Sequence, residues 1–186
     1  EQGAEELLHR PVIIGFGPCG MFAALILAEA GYSPLILERG KEMERRTADV
    51  DRFWKDGILD TESNVQFGEG GAGTFSDGKL TTGIKDFRIK KVLEEFVAAG
   101  AQPEILYKAK PHIGTDVLRE VVVNIRNKII SLGGEIRFES RVTDFITDPQ
   151  GRLAGVEVNG DEIINTQTVI AAPGHSARDT FAVMKG

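Results

Sequence analysis

The sequence holds one cysteine, one tryptophan, two tyrosines and three histidines among 186 residues. A lone thiol, Cys19, excludes an internal disulfide and fits a reducing, cytoplasmic setting. No stretch reaches the ~20 apolar residues of a membrane-spanning helix, and no basic-then-apolar targeting segment opens the chain. No membrane partner is therefore expected. Positive charge is also short: 22 Lys and Arg stand against 28 Asp and Glu, a net charge of −6. That field opposes nucleic acid or an anionic lipid surface as a partner. His9, His112 and His175 do not combine with each other or with carboxylates at metal-ligand spacing. No Gly-x-Ser-x-Gly elbow supplies a hydrolase nucleophile.

Apolar residues make up 41% and charged residues 27%, ordinary proportions for one sizeable globular domain. The charge reads as solvated helix faces. The chain begins at Glu1, and Phe181-Ala182-Val183-Met184 read as the first residues of a helix. The expectation is a piece of a longer protein.

Along the chain, Pro11-Val12-Ile13-Ile14 is a short apolar run without alternation, the pattern of a buried parallel strand. A helix is predicted from about Pro18 to Ala30, with proline in its first turn and Gly31 just past its end. Pro34 to Glu38 is a second buried strand, so strand, helix and strand fall within the ~30 residues of a βαβ unit. Helices are predicted at about Lys41–Lys55, Phe87–Ala99 and Asp116–Leu132, the last with Thr115 as N-cap and Gly133-Gly134 as its stop. The period then changes to two. Strands are predicted at Glu135–Glu139, Val142–Ile146, Leu153–Val158 and Glu162–Asn165, with turn signals at Asp148–Gly151 and Asn159-Gly160. Thr168 to Ala172 closes as a buried apolar strand. The fold class predicted is α/β: a Rossmann-like parallel sheet with an inserted three-stranded β-meander.

Gly15, Gly17 and Gly20 fill a G-x-G-x-x-G frame between the first strand and the first helix. The first glycine allows the sharp turn, the second lets backbone approach a diphosphate, and the third lets helix and strand pack closely. The helix start at Pro18-Cys19 offers unpaired amides and the positive end of a dipole to the phosphates. Glu38 supplies the carboxylate expected ~20 positions on, which accepts ribose hydroxyls and repels a 2′-phosphate. FAD or NAD is favoured over NADP, a preference tempered by the adjacent Arg39. Cys19 sits where a thiol pKa can fall, but the plainer reading is that the motif wants a small side chain there.

A second glycine-rich stretch runs from Gly68 to Leu80. Gly73 to Lys79 fits G-x-x-x-x-G-K, but Leu80 stands where a Mg²⁺-binding Ser or Thr is needed, so a P-loop is rejected. Val65, Phe67 and Phe75 make it too apolar for a plain spacer. The favoured reading is backbone laid against a flat or anionic ligand, with Ser76 and Lys79 as polar contacts. His175 follows a strand end, where open α/β sheets bind ligands. No catalytic acid or base is identifiable.

With these residues together, the chain resembles the FAD-dependent dehydrogenases of the glutathione-reductase structural class, most closely a subgroup known only as FAD-dependent dehydrogenases. The resemblance runs from Arg10 to about Phe181. It implies an incomplete FAD/NAD(P)-binding domain over residues 1–186, with a partial insertion at 57–113 that contains the flavin loop. It implicates Gly15, Gly17, Gly20, Glu38 and Arg39 at the ADP half of FAD. The most specific mark, Asn64 to Leu80, would bring Gly70, Gly71, Thr74, Ser76 and Lys79 beside the flavin. The segment near Val142 resembles the one whose backbone meets adenine. Ala172-Pro173-Gly174 resembles the class's Ala-Thr-Gly motif, with Pro173 in place of threonine, which weakens the transfer to Gly174. The class completes its flavin site with a later Gly-Asp segment that this chain lacks, so weak or no FAD binding by the chain alone, and no activity of its own, are expected.

The function this implies is a FAD-dependent oxidoreductase acting on a small-molecule redox substrate, with NAD(P)H as a candidate electron donor. The alternatives are an NAD-dependent dehydrogenase using the same turn, and a nucleotide-binding module without turnover. Substrate and oligomeric state are not legible.

Overall fold

A computed structural model of the chain describes residues 6–76, 78–80, 83–108 and 110–185. Asp77 of the second glycine-rich stretch and the first five residues lie outside the described residues. The elements are β1 (Val12–Ile14), α1 (Pro18–Glu29), β2 (Leu35–Leu37), α2 (Met43–Asp56), α3 (Arg88–Ala98), α4 (Thr115–Ser131), β3 (Glu135–Arg137), β4 (Val142–Thr147), β5 (Leu153–Val158), β6 (Glu162–Asn165), β7 (Val169–Ala171) and α5 (Arg178–Lys185). Short 3₁₀ turns occupy Ala72–Phe75 and Pro103–Leu106.

β1, β2, β3 and β7 form one parallel sheet in the order β3-β2-β1-β7. Ile13 pairs in register with Ile36 on one side and Ile170 on the other. Antiparallel β4-β5-β6 form a separate sheet. Alternation along the two central strands divides the core. Ile13 and Ile36 point into a cluster with Met21, Leu25, Val121, Val122 and Ile125 of α1 and α4. Val12, Ile14, Leu35 and Leu37 point the other way, onto Val142, Val156 and Val158 of the meander. A strand buried on both faces has no polar side to show, which is why these two runs lack alternation. Each such aliphatic side chain, fully buried, contributes about 1.5–3 kcal/mol. The sheet is thus held between a helical layer and a β layer, with its carboxyl edge open to the loops after β1, β2 and β7.

The predicted elements all form, with ends shifted by a residue or two. Thr115 is not the cap of α4: Gly114 occupies that position, and Thr115 is the first helical residue. Its hydroxyl donates to the Ser76 carbonyl at 2.7 Å instead, fastening the second glycine loop to α4. The terminal helix begins at Arg178, before the expected Phe181, and packs on β4.

Candidate functional site

The two glycine loops meet over the carboxyl edge of the sheet. Gly15 turns out of β1 at φ +94°, and a Cβ there would run into the Ala172 carbonyl after β7. Gly20, in the first turn of α1, lies so close to the Gly15 carbonyl that no side chain fits. These two glycines serve packing. Gly17 differs. Its φ is −77°, which any residue adopts, and a Cβ on it would meet nothing nearer than Gly71 Cα at 3.7 Å. Gly73 likewise has no neighbour within 4 Å of such a Cβ. Neither packing nor a positive φ accounts for the missing side chains at 17 and 73; both residues line open space.

That space is a cleft of about 350 Å³. It brings together Gly15, Gly17, Pro18, Cys19, Glu38, Arg39, Gly71, Val142 and Gly174 of the residues singled out from sequence, with His175 at its wall. Gly20 packs behind it. A second, more apolar cavity of about 540 Å³ shares Pro18, Cys19 and Gly73 with the first. It takes in Gly70, Thr74, Ser76 and Lys79, backed by Met21, Phe22, Leu93, Phe96 and Leu118. The second glycine stretch therefore serves two adjoining cavities. The side chains within it differ in what they can offer. Thr74 Oγ1 is buried without a hydrogen-bond partner, whereas the Ser76 hydroxyl is already donated to the Gly73 carbonyl at 2.7 Å.

Glu38 is buried, and its carboxylate is already in use. Oε2 accepts the Phe16 amide at 2.7 Å, and Oε1 accepts the Gly40 and Gly68 amides at 2.8 and 3.0 Å. One carboxylate thus ties the first glycine loop, the end of β2 and the second glycine loop into one frame beside the cleft. The N-terminus of α1 faces the same space with no acidic residue in its first turn, leaving its dipole uncompensated by the chain.

Arg46 was read as part of a solvated helix face, and the structure corrects this: it is 0% exposed. Its Nε donates to the Asn64 carbonyl at 3.0 Å, and its Nη2 to the Val65 and Gly71 carbonyls at 3.1 and 3.0 Å. Nη1 serves the Gly68 carbonyl at 3.3 Å and the Glu69 carbonyl. All five N–H donors of a guanidinium are engaged, and its plane lies 4.8 Å from the Phe75 ring centroid. Burial among neutral carbonyls pushes its pKa down to about 10, although Glu38 and Glu69 oppose that shift. Beside it, Glu69 is also 0% exposed. Oε2 accepts the Met43 amide at 2.6 Å and Arg126 Nη1 at 2.7 Å, while Oε1 has no partner. Burial raises the Glu69 pKa to about 7 despite Arg126. The signal for Arg46 was present in sequence: Met43, Arg46 and Val50 stand at i, i+3 and i+7 on one helix face, and all three are buried.

Among the described residues, no group of three or more His, Cys, Asp or Glu is placed to hold a metal ion. No helix there is long and apolar enough to cross a membrane.

A parallel sheet with a glycine turn at its carboxyl edge, helices on one face and a β-meander on the other defines a Rossmann-like α/β fold of the dinucleotide-binding type. No family model matches the chain. An uncharacterized protein of Clostridium beijerinckii is 53% identical over 184 residues, which cover 99% of this chain and 34% of that protein. The chain thus spans about a third of the length of this curated relative. Among solved structures, THI4 of Thermovibrio ammonificans aligns with a TM-score of 0.60 and 18% identity, over 95% of this chain and 61% of that one. OTEMO, in a complex with FAD and NADP, aligns with a TM-score of 0.54 and 18% identity, over 91% of this chain and 26% of that one. These likenesses establish the fold.

Proposed function

We propose that the chain is the dinucleotide-binding segment of a FAD-dependent oxidoreductase, with the ADP half of FAD in the 350 Å³ cleft and the flavin toward the adjoining apolar cavity. The observation that carries the reading is the pair Gly17 and Gly73, which lack side chains where neither packing nor a positive φ requires it. Both lie on the cleft, between the amides of α1 and the second glycine loop. A diphosphate seated there would receive the amides of the first turn of α1. Glu38 and Val142 line the same cleft, where the lone pair left on the Glu38 carboxylate would accept a ribose hydroxyl and the backbone near Val142 would meet the adenine. OTEMO, similar in fold, is named as a complex with FAD and NADP, in keeping with this assignment.

The apolar cavity beside the cleft favours FAD over NAD, because a flavin carries a large flat ring with an apolar dimethylbenzene side that nicotinamide lacks. When bound, FAD supplies hydride and electron transfer. The chain's own part is to bind, orient and keep water away. Gly70 and Thr74 back the flavin side, and the wall of Met21, Phe22 and Phe96 excludes solvent. The substrate is a small redox-active molecule, NAD(P)H is a candidate reductant, and the setting is cytoplasmic. Residues 57–113 belong, in this reading, to an insertion that delivers the flavin loop.

The absorption spectrum of the full-length polypeptide tests the proposal. Flavin bands that NADH or NADPH bleaches are the expected result. A colourless protein that binds NAD would overturn it.

A further inference from the structure

Arg39 follows Glu38 at the end of β2, the place where a dinucleotide's adenosine ribose falls in this fold. An arginine there is ordinarily the group that accepts a 2′-phosphate, because its planar fork matches phosphate oxygens. Here the fork is already occupied. Nη1 and Nη2 donate to Asp179 Oδ1 and Oδ2, each at 2.9 Å, and Nε donates to Glu62 Oε2 at 3.0 Å. The guanidinium plane lies 4.1 Å from the Phe67 ring centroid, which covers one face. The Arg39 side chain is only 13% exposed. Arg141 faces the same two carboxylates, at 3.3 Å from Glu62 and 3.8 Å from Asp179. Burial alone would lower the Arg39 pKa, but the hydrogen bonds to Asp179 and Glu62 outweigh it and raise the pKa above its ordinary value.

Asp179 reaches this position from α5, at the far end of the chain from β2. Its neighbour Thr180 lines the cleft. On the Arg39 fork stand Glu62 and Asp179, so a dianionic group arriving there meets two carboxylates and a guanidinium with three of its five N–H groups already engaged, while Arg141 is paired to the same carboxylates.

We propose that Asp179 is a specificity-determining residue of this cleft: by holding Arg39 as a bidentate partner, it excludes a ribose 2′-phosphate and restricts the site to adenine dinucleotides with a free 2′-hydroxyl. The inference rests on the dinucleotide reading of the cleft. It adds that the discrimination comes from an acidic residue on the terminal helix, acting through Arg39, as well as from Glu38.

Two probes that differ only in the group at issue, ADP-ribose and 2′-phospho-ADP-ribose, test it by amide-shift titration of the protein. The unsubstituted protein is expected to prefer ADP-ribose by about tenfold or more, the scale of one charge-assisted contact. Asp179→Ala should shrink that preference by about tenfold, chiefly through tighter binding of the phosphorylated probe. Asp179→Glu should keep the original preference, and adding Arg39→Met to Asp179→Ala should remove the gain. If Asp179→Ala fails to fold, Asp179→Asn serves, since it keeps the shape and removes the charge. A preference unchanged in a folded variant that still binds ADP-ribose overturns this inference alone. Failure of the unsubstituted full-length polypeptide to bind either probe overturns the dinucleotide reading and this inference with it.

Discussion

The Gly68 amide donates to Glu38 Oε1 at 3.0 Å, joining the end of β2 to a loop 30 residues further on. With the Phe16 and Gly40 amides on the same carboxylate, Glu38 organises the cleft as well as facing it. Replacing it with alanine leaves three buried amides without an acceptor. A loss of about 3 kcal/mol in unfolding free energy is expected, given ~1.5–3 for one hydrogen bond to a charged group and incomplete additivity. Urea unfolding at pH 7 measures this. A loss below about 1 kcal/mol would mean that the frame does not depend on this carboxylate.

Arg46 makes a sharper case. Substitution by methionine keeps the aliphatic stem but strands the carbonyls of residues 64, 65, 68, 69 and 71. A cost of about 3–5 kcal/mol is expected, as for other broken buried networks. Lysine should not rescue it, because an ammonium brings three donors on a point and cannot span five carbonyls. Limited proteolysis should cut the 64–75 segment in both variants well before the rest of the chain. Protection equal to the parent in Arg46→Lys would refute the multidentate role.

Glu69 makes stability depend on pH in a defined window. Its pKa is about 7 in the folded chain against an ordinary 4.5. Between those values the folded form therefore holds more proton than the unfolded form. Stability falls as pH rises from about 4.5 to about 7, then levels off, by roughly 3 kcal/mol from this group. Glu69→Gln mimics the protonated carboxyl. Its unfolding midpoint should match the parent near pH 5 and exceed it at pH 8. Parallel midpoint curves for parent and variant from pH 5 to 8 would show that Glu69 does not titrate there. The carboxylates with lowered pKa, such as Glu29, Glu95 and Asp179, act below this window.

The glycines should separate into two kinds. Gly20→Ala drives a methyl into the Gly15 carbonyl and should cost several kcal/mol, on the order of 3 or more, because backbone cannot step aside. Gly73→Ala meets nothing within 4 Å and should leave the melting temperature within about 2 °C, the shift of a few tenths of a kcal/mol. It should nevertheless weaken ligand binding. Equal thermal shifts in the two variants would contradict the division.

Much of this arrangement was legible in the sequence. Val12–Ile14 and Leu35–Leu37 announce themselves because burial on both faces leaves no polar alternation, and Asn159-Gly160 because its backbone takes positive φ at both residues. The cleft was legible as far as local spacing reaches, from Gly15 to Gly20 and on to Glu38. What escaped depends on distance in the chain. Arg46 finds its carbonyls 18–25 residues away in irregular structure, where no periodicity marks a partner. Arg39 and Asp179 stand 140 residues apart. The division of the second glycine stretch between two cavities was equally hidden. It follows from Gly71 lying against Gly17 while Gly70 lies against Thr74 and Val122, a choice made by tertiary packing.

The central claim, that a diphosphate nucleotide lies across the start of α1, is tested most directly by amide chemical shifts on titration with ADP, which register even weak binding. The account predicts saturable shifts largest at Gly17, Cys19 and Gly20, abolished by Gly17→Val in a protein that melts within a few degrees, about 3 °C, of the parent. Shifts absent from these amides, or undiminished in Gly17→Val, would contradict it.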